Sequence, residues 1–371
     1  MHAVTVLAVG DVVVDRPEPE TIFAHAAERL RAADIVFCQL ETVYSTRGSA
    51  VPTPGRPLRA DPSNIAALKA AGISVVSIAG NHCMDFGAEG MLDMVANLRA
   101  AGLNPVGAGR NLEEARAPVI IERHGIRVAL LAYSSILLDS SWATQSRAGC
   151  APLRAHTHYE MVEPHQPGCP ARIRTFPVRE DMDAAVSDVR AAKAKADFVL
   201  VSMHWGLHFT PHRFAEYESV MAHALVDAGA DAIIGTHPHH LKGMEIYRGR
   251  VIAYSLGNFA FDLPMRGQKQ SIARHNELAS LYPMLADAPR EGSFPFPEKS
   301  RLTLIMQLRL SCGSDPEVCF LPTWINPAGQ PEMLAAGDDR VREIIEFIAP
   351  DCAANKVRVE LADGRLVIVP I

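Results

Sequence analysis

The 371-residue sequence has no apolar run approaching the ~18 residues that a membrane-spanning helix needs. It has no CxxC pair, and its cysteines number seven, an odd count. Both facts argue against a disulfide framework or a structural zinc site, and they suit a reducing cytoplasm. A basic excess is missing too: 36 Lys and Arg face 42 Asp and Glu, for a net charge of −6. That balance weighs against a nucleic-acid partner. The opening stretch from Met1 to Asp11 has no basic leader, and its apolar run stops at Gly10-Asp11 after a strand's length. It reads neither as a signal peptide nor as an anchor, so no membrane partner is expected. Internal repeats are absent. What is present is apolar residues at 48%, enough for a large core.

Strand-like runs alternate with helix-like stretches, which predicts an α/β fold, a sheet covered by helices. Strands are predicted at Val4 to Val9, Asp34 to Gln39 and Ile73 to Ile78, and helices at Pro19 to Ala33, Pro62 to Ala71 and Gly87 to Ala101. A hairpin is predicted around His124-Gly125. From 135 to 179 the periodicity fails in a stretch rich in Pro, His, Arg and Ser, which reads as an irregular insert. The pattern resumes with a helix over 180–196 and strands at Phe198 to Met203, Ala232 to Gly235 and Val251 to Leu256. A helix over 214–228 lies between them. A second irregular, Pro-rich insert spans 264–299. Two antiparallel strands, a helix from Asp338 to Ile348 and a hairpin turning at Asp363-Gly364 close the chain. Residues 1–262 are therefore read as a core carrying the 135–179 insert, and residues 263–371 as the rest of the same domain.

The informative polar residues lie just past the ends of the apolar strands: Asp11, Glu41, Asn81-His82, His204, and His237 with His239. In an open α/β sheet ligands bind at those carboxyl ends. The alternate residues His237 and His239 share one face of an extended segment. Carboxylates, an amide oxygen and neutral imidazoles together suit Mn, Fe or Zn. Six candidates exceed what one zinc needs, and they suggest two ions about 3.5–4 Å apart with a hydroxide nucleophile between them. Each residue also has a plainer reading. Asp11 fits a turn, Asp85 a helix cap, Asn258 a turn after a strand, and His240 a bystander. The arginines and histidines of the first insert, Arg154 among them, fit solvated loop positions or contacts to a substrate carboxylate or phosphate.

Gly10-Asp11, Gln39-Leu40-Glu41, Gly80-Asn81-His82-Cys83-Met84-Asp85, His204-Trp205-Gly206, Gly235-Thr236-His237-Pro238-His239 and Tyr254-Ser255-Leu256-Gly257-Asn258-Phe259 form an ordered set. That set resembles the CapA (poly-γ-glutamate capsule synthesis) family within the calcineurin-like metallophosphoesterases, over roughly residues 4 to 262. The resemblance implies a four-layer α/β/β/α sandwich and a dinuclear centre. It implies Asp11 and His239 on the first metal, Asn81, His204 and His237 on the second, and Glu41 as the bridge. His82 faces the substrate, oriented by Asp85. Asn258, Arg154 and His208 are expected near the substrate. The sequence departs from the superfamily in two places. The Asp-x-His block reads Asp11-Val12-Val13, without the histidine that binds the first metal. His208 stands where an acidic residue is expected.

The expected function is hydrolysis by two divalent or trivalent ions (Mn, Fe or Zn) of a phosphoester or amide in a small-molecule or polymer substrate bearing carboxylate or phosphate. The rival reading is a non-catalytic factor in poly-γ-glutamate or capsule polymer synthesis.

Overall fold

The structure, a computed structural model, describes residues 3–52, 56–263, 272–282, 284–285, 294 and 296–371. Two sheets pack face to face. The first runs in the order Val357–Ala362, Arg365–Pro370, Glu317–Ile325, Leu302–Ser311, Ala3–Val13, Ile35–Leu40, Val75–Ser77 and Asn104–Val106. The strand Asn258–Phe261 pairs in parallel with the far end of Ala3–Val13, placing Asn258 beside Asp11. The second sheet runs Leu241–Tyr247, Arg250–Leu256, Ala232–Thr236, Phe198–His204, Ile126–Ser134 and Val119–Arg123.

The period-2 alternation of strands sorts the side chains into layers. In Phe198–His204, Phe198 and Leu200 enter the core between the sheets, while Val199, Val201 and Met203 meet the outer helices. Ala232 and Ile234 face inward, and Ile233 faces outward. Helices Arg179–Lys193 and Glu216–Asp227 cover the outside of the second sheet through Ala185, Val189, Met221 and Leu225. Helix Gly87–Ala100 packs Met91, Met94 and Leu98 onto the main core. The result is the expected α/β/β/α order of layers. By the same alternation Ser202 and His204 continue the inward parity, so His204 emerges at the carboxyl edge between the sheets.

Several elements differ from the sequence reading. The helix expected over Pro19 to Ala33 is a 3-10 turn, Pro19–Phe23, followed by the short helix Ala27–Arg31. Ile22 and Phe23 are adjacent and both fully buried. On one straight helix they would point about 100° apart, and the break lets both reach the core. The insert at 135–179 is not wholly irregular: Ala155–Met161 and Ala171–Pro177 form an antiparallel hairpin. Its residues are largely exposed, Tyr159, Met161, Ile173 and Phe176 among them, so it lacks the buried apolar run that marks the other strands. The strands Leu241–Tyr247 and Asn258–Phe261 were not anticipated. Half of the Pro-rich insert expected over 264–299, residues 264–271, 283, 286–293 and 295, lies outside the described residues. Within it Ile272–Leu281 is a helix, and Phe294 and Phe296 are buried. Among the described residues no helix is long and apolar enough to cross a membrane.

Candidate metal centre

Two glycines, Gly10 inside the strand Ala3–Val13 and Gly80 three residues past the strand Val75–Ser77, let backbone segments approach closely at one point. A Cβ on Gly10 would stand 1.8 Å from the carbonyl oxygen of Gly257, the same oxygen that accepts from the Asp11 N–H at 3.1 Å. A Cβ on Gly80 would stand 2.7 Å from Gln39 Nε2 and 3.4 Å from the His204 ring. Only glycine permits these approaches, and they bring Asp11, Glu41 and Asn81 of the first sheet against His204, His237 and His239 of the second.

The densest part of the centre surrounds His204. Its Nε2 lies 2.6 Å from Asn81 Oδ1, 3.1 Å from His237 Nδ1 and 3.8 Å from Glu41 Oε1. Its Nδ1 faces the Thr236 hydroxyl at 3.2 Å. Ligand atoms of Glu41, His204 and His237 all lie within 4.8 Å of one another. Thr236, one residue before the histidine pair, orients the ring from behind, a role the sequence reading did not assign.

The second part surrounds Asp11. The His237 N–H donates to Asp11 Oδ2 at 3.3 Å, and His239 Nδ1 lies 3.7 Å from the same oxygen. Asn258 is fully buried. Its Oδ1 faces His239 Nδ1 at 2.9 Å, and its Nδ2 donates to the His239 carbonyl at 3.4 Å. That arrangement places the proton on Nδ1 and leaves the Nε2 lone pair for a ligand. Asn258 thus sits behind His239 and contacts its ring and its carbonyl. His237 and His239 both have positive φ, 98° and 59°. Such backbone strain in non-glycine residues gathers at functional sites.

His82 sits at the open side, with Nδ1 2.7 Å from Asp85 Oδ2 and Nε2 4.0 Å from Glu41 Oε1. Asp85 also accepts from the Leu58 N–H at 2.6 Å, so it is fixed independently of the ring it orients. His208 stacks on His237 with ring centroids 3.8 Å apart and lies 5.2 Å from the His239 ring. Arg154 is not brought into the centre. Asp181 holds its guanidinium at both oxygens, 2.7 and 2.8 Å, and also accepts from its backbone N–H. In this arrangement its guanidinium is engaged by Asp181 and not by any residue of the centre. The sequence reading also missed an aromatic wall: Phe209, Phe261 and Phe296 stand 5.7, 5.9 and 4.7 Å from the His239 ring. Val13, at the position of the absent histidine, is buried in the same cluster.

The donor set fits a cation. Asp11 Oδ1 and both carboxylate oxygens of Glu41 are buried without a hydrogen-bond partner among the described residues. Burial pushes the Asp11 carboxyl up to about 8. Burial, then the charges of Asp11 and Asp85, pushes Glu41 well above the usual carboxylate range. Burial and the neighbouring imidazoles hold His204 and His237 well below the usual histidine range, and His239 is lowered to about 4, chiefly by burial. Buried carboxylates and neutral imidazoles together are what a bound metal ion requires and compensates.

Residues 5–263 match the family profile described as bacterial capsule synthesis protein PGA_cap. The capsule biosynthesis protein CapA of Bacillus anthracis is 28% identical over 269 residues, 70% of this chain and 60% of that protein. A probable polyglutamine synthesis accessory protein of Mycobacterium tuberculosis is 33% identical over 266 residues, 71% of this chain and 64% of that protein. The matches thus span about 60 to 64% of the length of these relatives. Among solved structures, the calcineurin-like phosphoesterase YfkN from Bacillus subtilis aligns over 93% of this chain and 96% of its own, at 13% identity and a TM-score of 0.39. A phosphatase from Mycoplasma pneumoniae aligns over 87% of this chain and 94% of its own, at 14% identity and a TM-score of 0.45.

Proposed function

The chain belongs to the bacterial capsule synthesis protein PGA_cap family, and from that premise we propose that it is a metal-dependent hydrolase with a dinuclear centre. Its substrate bears carboxylate or phosphate, and the bond cleaved is a phosphoester or an amide. The observation that carries this reading is Glu41. Its two carboxylate oxygens are buried and unpartnered, 3.8 Å from His204 Nε2 and 4.0 Å from His82 Nε2. An isolated buried carboxylate is costly, and a cation removes the cost.

Glu41, Asn81, His204 and His237 would hold one ion, and Asp11 and His239, with Glu41 shared, the other. Bound divalent ions supply an activated water and neutralise charge on the group being transferred. The protein's own contribution is orientation. Thr236 and Asn258 fix the His204 and His239 rings, and Asp85 fixes the His82 ring. His82 presents Nε2 toward the opening, where it can donate to a leaving group or to developing negative charge. The relatives' names place them in capsule and polyglutamine synthesis. That context favours a substrate rich in carboxylates, such as a γ-linked glutamyl amide.

The test is metal content of the purified full chain, beside Glu41→Ala and His237→Ala, followed by turnover of p-nitrophenyl phosphate esters and γ-glutamyl anilides. About two equivalents of Mn, Fe or Zn per chain, reduced in both variants, with turnover of either substrate class, is the expected result. A chain that takes up no metal even after reconstitution would end this reading and leave a non-catalytic accessory role.

A further inference from the structure

The two half-sites do not hold equal numbers of ligands. Around His204 four residues converge: Glu41, Asn81, His204 and His237. Around Asp11 there are two, Asp11 and His239, plus the shared Glu41. The superfamily's third ligand is missing there. Val13 occupies its position and is packed with Phe209, Phe261, Phe294, Phe296 and Ile325. That wall offers no lone pair.

Beside the same rings, and 5.4 Å from the Phe209 ring of that wall, stands His208. Its ring lies 3.8 Å from that of His237 and 5.2 Å from that of His239, nearly parallel to the latter at 16°. Its Nε2 is buried and has no hydrogen-bond partner among the described residues. A nitrogen that only contacted substrate would face the opening, as the partly exposed His82 does. A buried and unpartnered one is an orphan that costs stability unless something fills it.

The backbone holds this residue firmly. Trp205 N–H donates to the Thr236 carbonyl at 3.2 Å, and Phe209 N–H donates to the Pro238 carbonyl at 3.2 Å. Gly206 N–H donates to the Tyr217 hydroxyl oxygen at 2.7 Å. The His208 loop is thus tied on both sides to the loop carrying His237 and His239. Phe209 keeps a left-handed φ of 44° to make its bond. Strain of this kind persists where the surroundings over-determine a functional geometry.

We propose that His208 is a metal ligand of this chain, completing the half-site of Asp11 and His239 in place of the histidine that the Asp11-Val12-Val13 block lacks. The proposal rests on the dinuclear reading above. An imidazole there keeps the donor set within the nitrogen and oxygen types that suit Mn, Fe or Zn. The acidic residue expected at this position and the histidine found there are both metal-ligating types, so the exchange preserves the capacity to bind.

The test titrates metal-stripped full-length protein with Mn(II), by calorimetry and by the spin-coupled resonance signal of two adjacent Mn(II) ions. Wild type is expected to bind two equivalents, one tighter than the other. His208→Phe keeps a ring for stacking and removes the nitrogen. It should weaken the second equivalent at least tenfold and abolish the coupled signal, with the tight equivalent unchanged. His208→Glu should restore both. His208→Phe binding two equivalents with wild-type affinities and a coupled signal would overturn the assignment while leaving the dinuclear centre intact. Wild type binding no Mn(II) would overturn the centre itself.

Discussion

Around His204, three polar side chains from both sheets, Asn81, His237 and Glu41, place a nitrogen or oxygen atom within 2.6 to 3.8 Å of its Nε2, whereas a few ångströms away His239 borders an aromatic wall of Phe209, Phe261 and Phe296. The same strand ends serve both regions, so topology is not the cause of the difference. It comes from single side chains: Val13 turns one flank apolar, and Asn81 makes the other polar. A two-ion site built this way would hold one ion in a saturated polar cage and the other in a cage that is polar on one side only. Affinity, and with it the pH and chelator sensitivity of the protein, should therefore divide between the halves.

The strongest test of that division compares His237→Ala with His239→Ala. Loss of His237 strips the saturated half-site, and activity on the best substrate should fall about 10³-fold, the several kcal/mol that a catalytic ion supplies. Loss of His239 should remove only the weaker equivalent and leave the tight one bound. Metal analysis of both variants checks this. If His239→Ala loses both ions while His237→Ala keeps one, the ranking of the two halves is reversed and the comparison fails.

The metal-stripped protein sharpens the contrast through pH. Asp11, raised by burial to about 8 in the fold, returns to about 3.9 when unfolded. The folded state then holds the extra proton, so this contribution to stability is complete below about pH 4 and lost as the pH rises through about 8. His239, lowered to about 4 by burial, works in the opposite sense, with its contribution present above about 6.5 and lost as the pH falls. Between about pH 6.5 and 8.5 the carboxyl effect therefore acts without opposition from the histidine. The melting temperature of the stripped protein should decline across that window, and Asp11→Asn should make the decline shallower, with the raised Glu41 carboxyl supplying the rest. Added Mn(II) should reverse it, because an ion favours the charged carboxylate. A stripped wild type whose melting temperature rises over the window would contradict the desolvated state assigned to Asp11.

A smaller effect is expected from the residues behind the ligands. Asn258 touches His239 and not the opening, so Asn258→Ala should weaken binding at the Asp11 half about 10- to 100-fold. It should leave the tight equivalent unchanged in a Mn(II) titration. Equal weakening of both equivalents would mean that Asn258 supports the whole edge rather than one ring.

These regions were not equally legible in the sequence. The ligands past the strand ends were readable because buried strands announce themselves as apolar runs and the polar residue that ends each run stands out. Glu41, Asn81, His204 and His237 come together as that pattern implies. The surroundings of Asp11 were not readable in the same way. The turn chemistry that makes Asn258 a support for His239 depends on a parallel pairing with Asp11 across 247 residues of chain. The aromatic wall draws Phe209 from one loop and Phe296 from the end of the Pro-rich stretch, and nothing local marks either as a neighbour of His239. The hairpin at Ala155–Met161 and Ala171–Pro177 escaped notice because its apolar residues, Tyr159, Met161, Ile173 and Phe176, are interleaved with His, Arg and Glu and stay exposed rather than forming a buried run. Short-range pattern reports what each segment buries, and long-range pairing decides what surrounds it.

Arg154 yields the smallest predicted effect. An arginine in an insert near a site suggests a substrate clamp, since guanidinium suits carboxylate and phosphate. The fold supplies the carboxylate internally. Asp181 takes both guanidinium nitrogens and the backbone N–H of Arg154, and thereby anchors the base of the hairpin to the helix Arg179–Lys193. The arginine side chain is 42% exposed, so the pair is worth no more than about 1 kcal/mol. Arg154→Ala should lower the melting temperature by a few degrees at most. The value of KM for an acidic substrate should stay within about twofold of wild type, because no binding contact is lost. A KM raised tenfold or more with kcat and the melting temperature unchanged would return Arg154 to the substrate, and would mean that the guanidinium leaves Asp181 when an acidic ligand arrives.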